Sequence, residues 1–124
     1  MISKSSVLIV DDSAEMRSAL RRLFKSHEEF EVLGEAEDGQ DAIDKARTLH
    51  PDLIILDLSM PKMNGLEAAG PLTEMLPNVR LMLYTSHIGS EVERLALAAG
   101  IHTVVSKTDG FKSLIPRAQS LMAA

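Results

Sequence analysis

Two adjacent carboxylates, Asp11 and Asp12, close the apolar run Val7 to Val10, and a third, Asp57, closes the run Leu53 to Leu56. Further along, Leu81 to Tyr84 leads into Thr85, and Thr103 to Ser106 leads into Lys107. If these runs are parallel strands of one sheet, a carboxylate pair, a lone carboxylate, a hydroxyl and an ammonium meet at a single rim. Two carboxylates ~4 Å apart repel by about 4 kcal/mol at an effective dielectric of about 20, so three together need a cation or a raised pKa. Three carboxylates and one ammonium sum formally to -2, the charge that one Mg2+ cancels. Mg2+ favours oxygen ligands, keeps several waters and takes one or two carboxylates together with a phosphate oxygen. The chemistry to which such a rim points is phosphoryl transfer, with one carboxylate as the nucleophile of an aspartyl phosphate.

Two kinds of periodicity alternate around these residues and supply the positioning. The runs Val7 to Val10, Leu53 to Leu56, Val79 to Leu83 (Arg80 excepted) and Val104 to Val105 are short and aliphatic, as strands covered on both faces are. Phe30 to Ala36 reads as a further strand, its Glu31 and Glu35 suiting a partly exposed edge. Between the strands, Met16, Ala19, Leu20, Leu23 and Phe24 recur at helical spacing, as do Ala42, Ile43, Ala46 and Leu49, and then Val92, Leu95, Ala96 and Ala99. Five βα units in this order imply a parallel sheet with right-handed crossovers and helices on both faces. The carboxyl ends of the strands then share one side, where the ligand crevice of such sheets lies.

Composition narrows the function further. At 124 residues the chain reads as one domain, residues 1–124, with no linker or internal repeat. A formal charge of -5 argues against a grip on nucleic acid backbone by this segment. Absence of cysteine excludes disulfides and thiolate metal sites. No apolar run approaches the ~20 residues of a membrane helix, and Met1 to Ser6 has no signal-peptide core, so a cytoplasmic location is expected.

The set Val7-Leu8-Ile9-Val10-Asp11-Asp12, then Leu56-Asp57-Leu58-Ser59-Met60-Pro61 with Asn64-Gly65, then Thr85, then Val104-Val105-Ser106-Lys107 resembles the receiver domains of two-component response regulators. The likeness covers essentially the whole chain and is greatest to receivers that carry a helix-turn-helix output domain. It implies a flavodoxin-like, doubly wound, five-stranded parallel sheet of order 2-1-3-4-5. It also implies Asp57 as the phosphoacceptor, Asp12 as a direct Mg2+ ligand, Asp11 as a ligand through water, and the Ser59 backbone carbonyl as a further ligand. Thr85 is then the switch hydroxyl and Lys107 the phosphate-pairing lysine. The implied partners are a histidine kinase or phosphotransfer protein, and a second copy or an output domain on the face of the fourth and fifth βα units. Ser59 and His87 stand at positions that tune hydrolysis in this family.

Each residue has a plainer reading beside the functional one. Asp11 and Asp12 could merely favour the start of a helix, through its dipole. Asp57 alone would be a solvated strand end, Thr85 a satisfied strand-end hydroxyl and Lys107 an exposed cation; the joint pattern is what weighs against these. Asn64-Gly65 reads as a turn of positive φ with no chemical role, and His27, His50 and His102 as surface residues. A haloacid-type phosphatase would need Asp-x-Asp-x-Thr, which is absent after Asp57, and a nucleotide module would need a glycine-rich loop where Asp11-Asp12-Ser13 stands. The competing reading of a different kind is a receiver-like interaction domain that works without phosphorylation.

Four positions depart from the family pattern and carry expectations. Pro71 and Pro116 fall in segments that resemblance makes helical, so both helices are expected to kink or start late, the last one near Ser113, where Pro116 enters the first turn harmlessly. Val104 stands where receivers usually place Tyr or Phe, and Thr108 where proline often follows the lysine. A valine has no ring to rotate. Phosphorylation is therefore expected to be felt mainly from Thr85 through Ser90.

Overall fold

The computed structural model of the chain describes residues 4–86 and 89–123. His87, named above as a tuning position, lies outside them. The elements alternate as β1 (Ser5–Val10), α1 (Ala14–Lys25), β2 (Phe30–Ala36), α2 (Gly39–Leu49), β3 (Leu53–Leu56), α3 (Gly65–Met75), β4 (Arg80–Thr85), α4 (Ser90–Ala99), β5 (Thr103–Ser106) and α5 (Leu114–Ala123). All strand pairs are parallel, in the order β2-β1-β3-β4-β5, as expected.

Successive strand residues point to opposite faces, so each strand feeds two cores. Leu8, Val10, Ile54, Leu56, Leu81 and Leu83 pack with Ala42 and Ala46 of α2, Ala68 and Leu72 of α3 and Ala96 of α4. On the other face Val7, Ile9, Leu53, Ile55, Met82 and Tyr84 pack with Leu20 and Phe24 of α1 and Leu114 and Ala118 of α5. Full burial of a Val, Leu or Ile side chain contributes about 1.5–3 kcal/mol, so the inner strands hold the sheet through both faces at once. Phe24 and Phe30 add an edge-to-face contact, ring centroids 5.1 Å apart, that ties α1 to the edge strand.

Caps place the helix starts close to the rim. Ser13 accepts from the Met16 N–H and opens α1 directly after Asp11 and Asp12. Asn64 forms a reciprocal capping box with Glu67 at the start of α3. This corrects the expectation of a positive-φ turn at Asn64-Gly65: Gly65 is not among the glycines of positive φ and is the first helical residue. Glycine is required there by proximity, since a Cβ would lie 2.5 Å from the Asp57 carbonyl oxygen.

The two prolines behave differently. α5 begins at Leu114, so Pro116 sits in its first turn, and the late start is found. α3 does not begin late; it runs from Gly65 to Met75 with an exposed Pro71 inside it. Below Pro71, the Thr73 hydroxyl donates to the carbonyls of Ala69 and Gly70, each at 3.0 Å.

Candidate functional site

Register brings the rim together. Val10 pairs with Leu56, Leu56 with Leu83 and Leu83 with Val104, so the residues that follow leave the sheet side by side. The Asp57 N–H donates to the Val10 carbonyl and the Asp11 N–H to the Ala36 carbonyl, both at 3.0 Å, which carries the ladder one step past the strands. Carboxylate oxygens of Asp11, Asp12 and Asp57 lie within 4.8 Å of one another. Asp11 and Asp57 are buried and Asp12 is exposed.

Lys107 Nζ sits between two of these carboxylates, 3.0 Å from Asp11 Oδ2 and 3.2 Å from Asp57 Oδ1. Burial, and next the charge of Asp11, push the Asp57 carboxyl above its ordinary range, while Lys107 opposes the rise. Burial disfavours the Lys107 ammonium, but its bonds and charge interactions with Asp11 and Asp57 outweigh that and hold its pKa above the usual value. The cluster thus carries more negative charge than one lysine balances. Its donor set is entirely oxygen, compact and partly open to solvent at Asp12, which fits a hard divalent cation such as Mg2+.

Thr85, fully buried at the end of β4, pairs in register with Ser106, the residue before Lys107. Ser59 lies exposed in the segment between β3 and α3, which is anchored by the Gly65 N–H donating to the Leu58 carbonyl and by the Gly39 N–H donating to the Met63 carbonyl. The structure therefore brings Asp11, Asp12, Asp57 and Lys107 into one cluster, with Thr85 and Ser59 on flanking strand ends and loops.

Lys107 is held by groups that sequence reasoning missed. Its Nζ lies 5.7 Å from the centroid of the buried Tyr84 ring, whose hydroxyl donates to the Gly110 carbonyl at 3.1 Å. After β5 the chain makes a short 3-10 turn, Lys107–Asp109, in which the Thr108 N–H donates to Ser106 Oγ at 3.1 Å. A proline at 108 has no such N–H, so the threonine that departs from the family pattern supplies the cap of this turn. Arg17 was missed as well; its Nη1 donates to the Asp11 carbonyl at 2.6 Å.

A family model for the response regulator receiver domain matches residues 7–119. The chain belongs to this family. The receiver is 37% identical over 102 residues to the response regulator protein VraR of Staphylococcus saprophyticus, covering 82% of this chain and 49% of the relative. The receiver thus spans about half the length of that curated relative. Among solved structures, a LuxR-family two-component response regulator from Aurantimonas superposes with a TM-score of 0.93 at 28% identity, covering 98% of this chain and 86% of that one. The CheX-CheY-BeF3-Mg complex from Borrelia burgdorferi gives 0.90 at 28% identity, covering 97% and 90%. Among the described residues no helix is long and apolar enough to cross a membrane.

Proposed function

We propose that residues 1–124 form a phosphoacceptor receiver domain in which Asp57 takes a phosphoryl group from a histidine kinase or phosphotransfer protein in the cytoplasm. The observation that carries this reading is the cluster of three carboxylates within 4.8 Å of one another, bridged between Asp11 and Asp57 by Lys107. A purely structural salt bridge needs one carboxylate, and a third adds repulsion that a raised pKa or a further cation must relieve.

In the proposed reaction a carboxylate oxygen of Asp57 attacks phosphorus, the bond from phosphorus to the donor breaks, and the donor leaves with that bonding pair. The product is an acyl phosphate. Lys107 turns from the Asp57 carboxylate to the new phosphoryl oxygens, and the Thr85 hydroxyl donates to another. Asp11, Asp12 and Asp57, with the Ser59 carbonyl, would hold Mg2+, which supplies neutralisation of charge on the transferring group. A complex of a similar receiver that contains both Mg and a BeF3 group supports this assignment. The altered charge then biases a two-state equilibrium. The reader of that switch is an output domain or second copy on the face of α4, β5 and α5, where Leu97 stands 71% exposed.

Intact mass measured after incubation with a small phosphodonor and Mg2+ tests the reading. One phosphoryl mass is gained by the wild type, and none by Asp57→Asn or by wild type in a chelator. A mutant that gains mass at the wild-type rate moves the nucleophile to Asp11 or Asp12. No gain in the wild type leaves the phosphorylation-independent interaction domain as the function.

A further inference from the structure

Arg17 makes a set of contacts that the phosphoryl chemistry above does not use. Its guanidinium, with the side chain 18% exposed, donates through Nη1 to the Asp11 carbonyl oxygen at 2.6 Å and through Nε to Glu35 Oε1 at 3.2 Å. The other oxygen of Glu35 accepts from Arg21 Nε at 2.6 Å. The backbone carbonyl of Glu35 accepts from Lys45 Nζ at 2.6 Å, so the acidic residue is itself fixed on the edge strand. A chain of contacts therefore runs from β2, through Glu35 and Arg17 of α1, to the backbone of the acidic loop.

The carbonyl that Arg17 holds belongs to the peptide unit joining Asp11 to Asp12. That unit is planar, so fixing its oxygen fixes the direction in which the chain enters Asp12. The rest of Asp11 is already committed: its N–H to Ala36, Oδ1 to the Ser13 N–H at 2.8 Å and Oδ2 to Lys107. Asp12 is exposed, and among the described residues no hydrogen bond or ion pair orients its side chain. We infer that Arg17 is a positioning residue that sets the Mg2+ affinity of the acidic loop by locking the Asp11–Asp12 peptide, with Glu35 holding Arg17 in place. This rests on the proposed Mg2+ site.

Charge and position predict opposite signs here. A guanidinium acting only as a nearby positive charge would repel Mg2+, and its removal would tighten binding. A guanidinium that orients a ligand loosens binding when removed, and groups supporting metal ligands are typically worth roughly 10- to 100-fold in affinity. Glu35 offsets the Arg17 charge, and its own carboxyl is lowered because the two arginines outweigh burial. Position therefore prevails.

The test is calorimetric titration of the full chain with Mg2+, together with the initial phosphodonor rate at limiting and saturating Mg2+. Arg17→Met is expected to weaken Mg2+ by about tenfold and to slow phosphorylation at limiting but not at saturating Mg2+. Arg17→Lys, which can still donate to the carbonyl, restores part of the affinity. Unchanged or tighter binding in Arg17→Met overturns the inference, as does a rate loss that saturating Mg2+ does not repair. Should Arg17→Met fail to fold, Arg17→Lys and Glu35→Gln take its place, and wild-type affinity in both overturns the inference. Wild-type chain that binds no Mg2+ at all overturns the proposed site itself, a result distinguishable from the others because no variant is involved.

Discussion

Asp57 carries its unfavourable environment into the stability of the chain. Its pKa is raised from an ordinary 3.8, first by burial and then by Asp11. A carboxyl whose folded pKa lies above its unfolded one stabilises the fold below the unfolded value, and that contribution is lost as pH rises through the folded pKa. In chelator, the stability advantage of Asp57→Asn over wild type is therefore expected to grow from about pH 4 up to the raised Asp57 pKa and then level off. Denaturant unfolding of both proteins across that range checks this; a constant difference would rule it out. Asp11, Asp12, Asp57, Thr85 and Lys107 were legible in the sequence because each interrupts or closes an apolar run, where a polar residue stands out. Tyr84 and Arg17 were not, since a tyrosine inside a strand reads as core and an arginine on a helix reads as solvated surface. Asn64-Gly65 was misread for a related reason: a cap and a close backbone approach use the same residue pair as a tight turn.

At the level of elements, alternation of strand and helix periods was enough to read a parallel sheet with right-handed crossovers, while the strand order and the helices α3 and α5 were legible only through the family resemblance. The late start expected of a proline-bearing helix is found where the boundary could move, in α5; α3, whose start is fixed by the Asn64 capping box, begins early and holds Pro71 in its interior. Val104 pairs with Leu83 and packs, half-buried, against the core beneath α4. A β-branched side chain with one favoured rotamer does not swing between two positions as a ring can. Phosphorylation, or a phosphoryl mimic, is expected to change amide shifts most at Thr85, Ser86 and Gly89, with smaller changes at Val104 and along α5. Heteronuclear correlation spectra with and without the mimic decide this, and the reverse pattern would sink it.

For the molecule as a whole, a ligand that binds only the folded chain stabilises every element at once. The proposed Mg2+ site draws on the ends of β1 and β3, inner strands of the sheet, so its ligands exist together only when the sheet is formed. At 100 times the dissociation constant the gain is about 2.7 kcal/mol. The melting temperature of wild type should rise with Mg2+, and that of Asp12→Ala should rise much less; equal shifts would place the ion elsewhere. Tyr84 gives the molecule one further property. The chain has a single tyrosine and no tryptophan, and that tyrosine lies 5.7 Å beneath Lys107 Nζ. Its near-ultraviolet emission therefore originates from one buried ring at the edge of the acidic cluster, which places an intrinsic optical probe beside that lysine without any label.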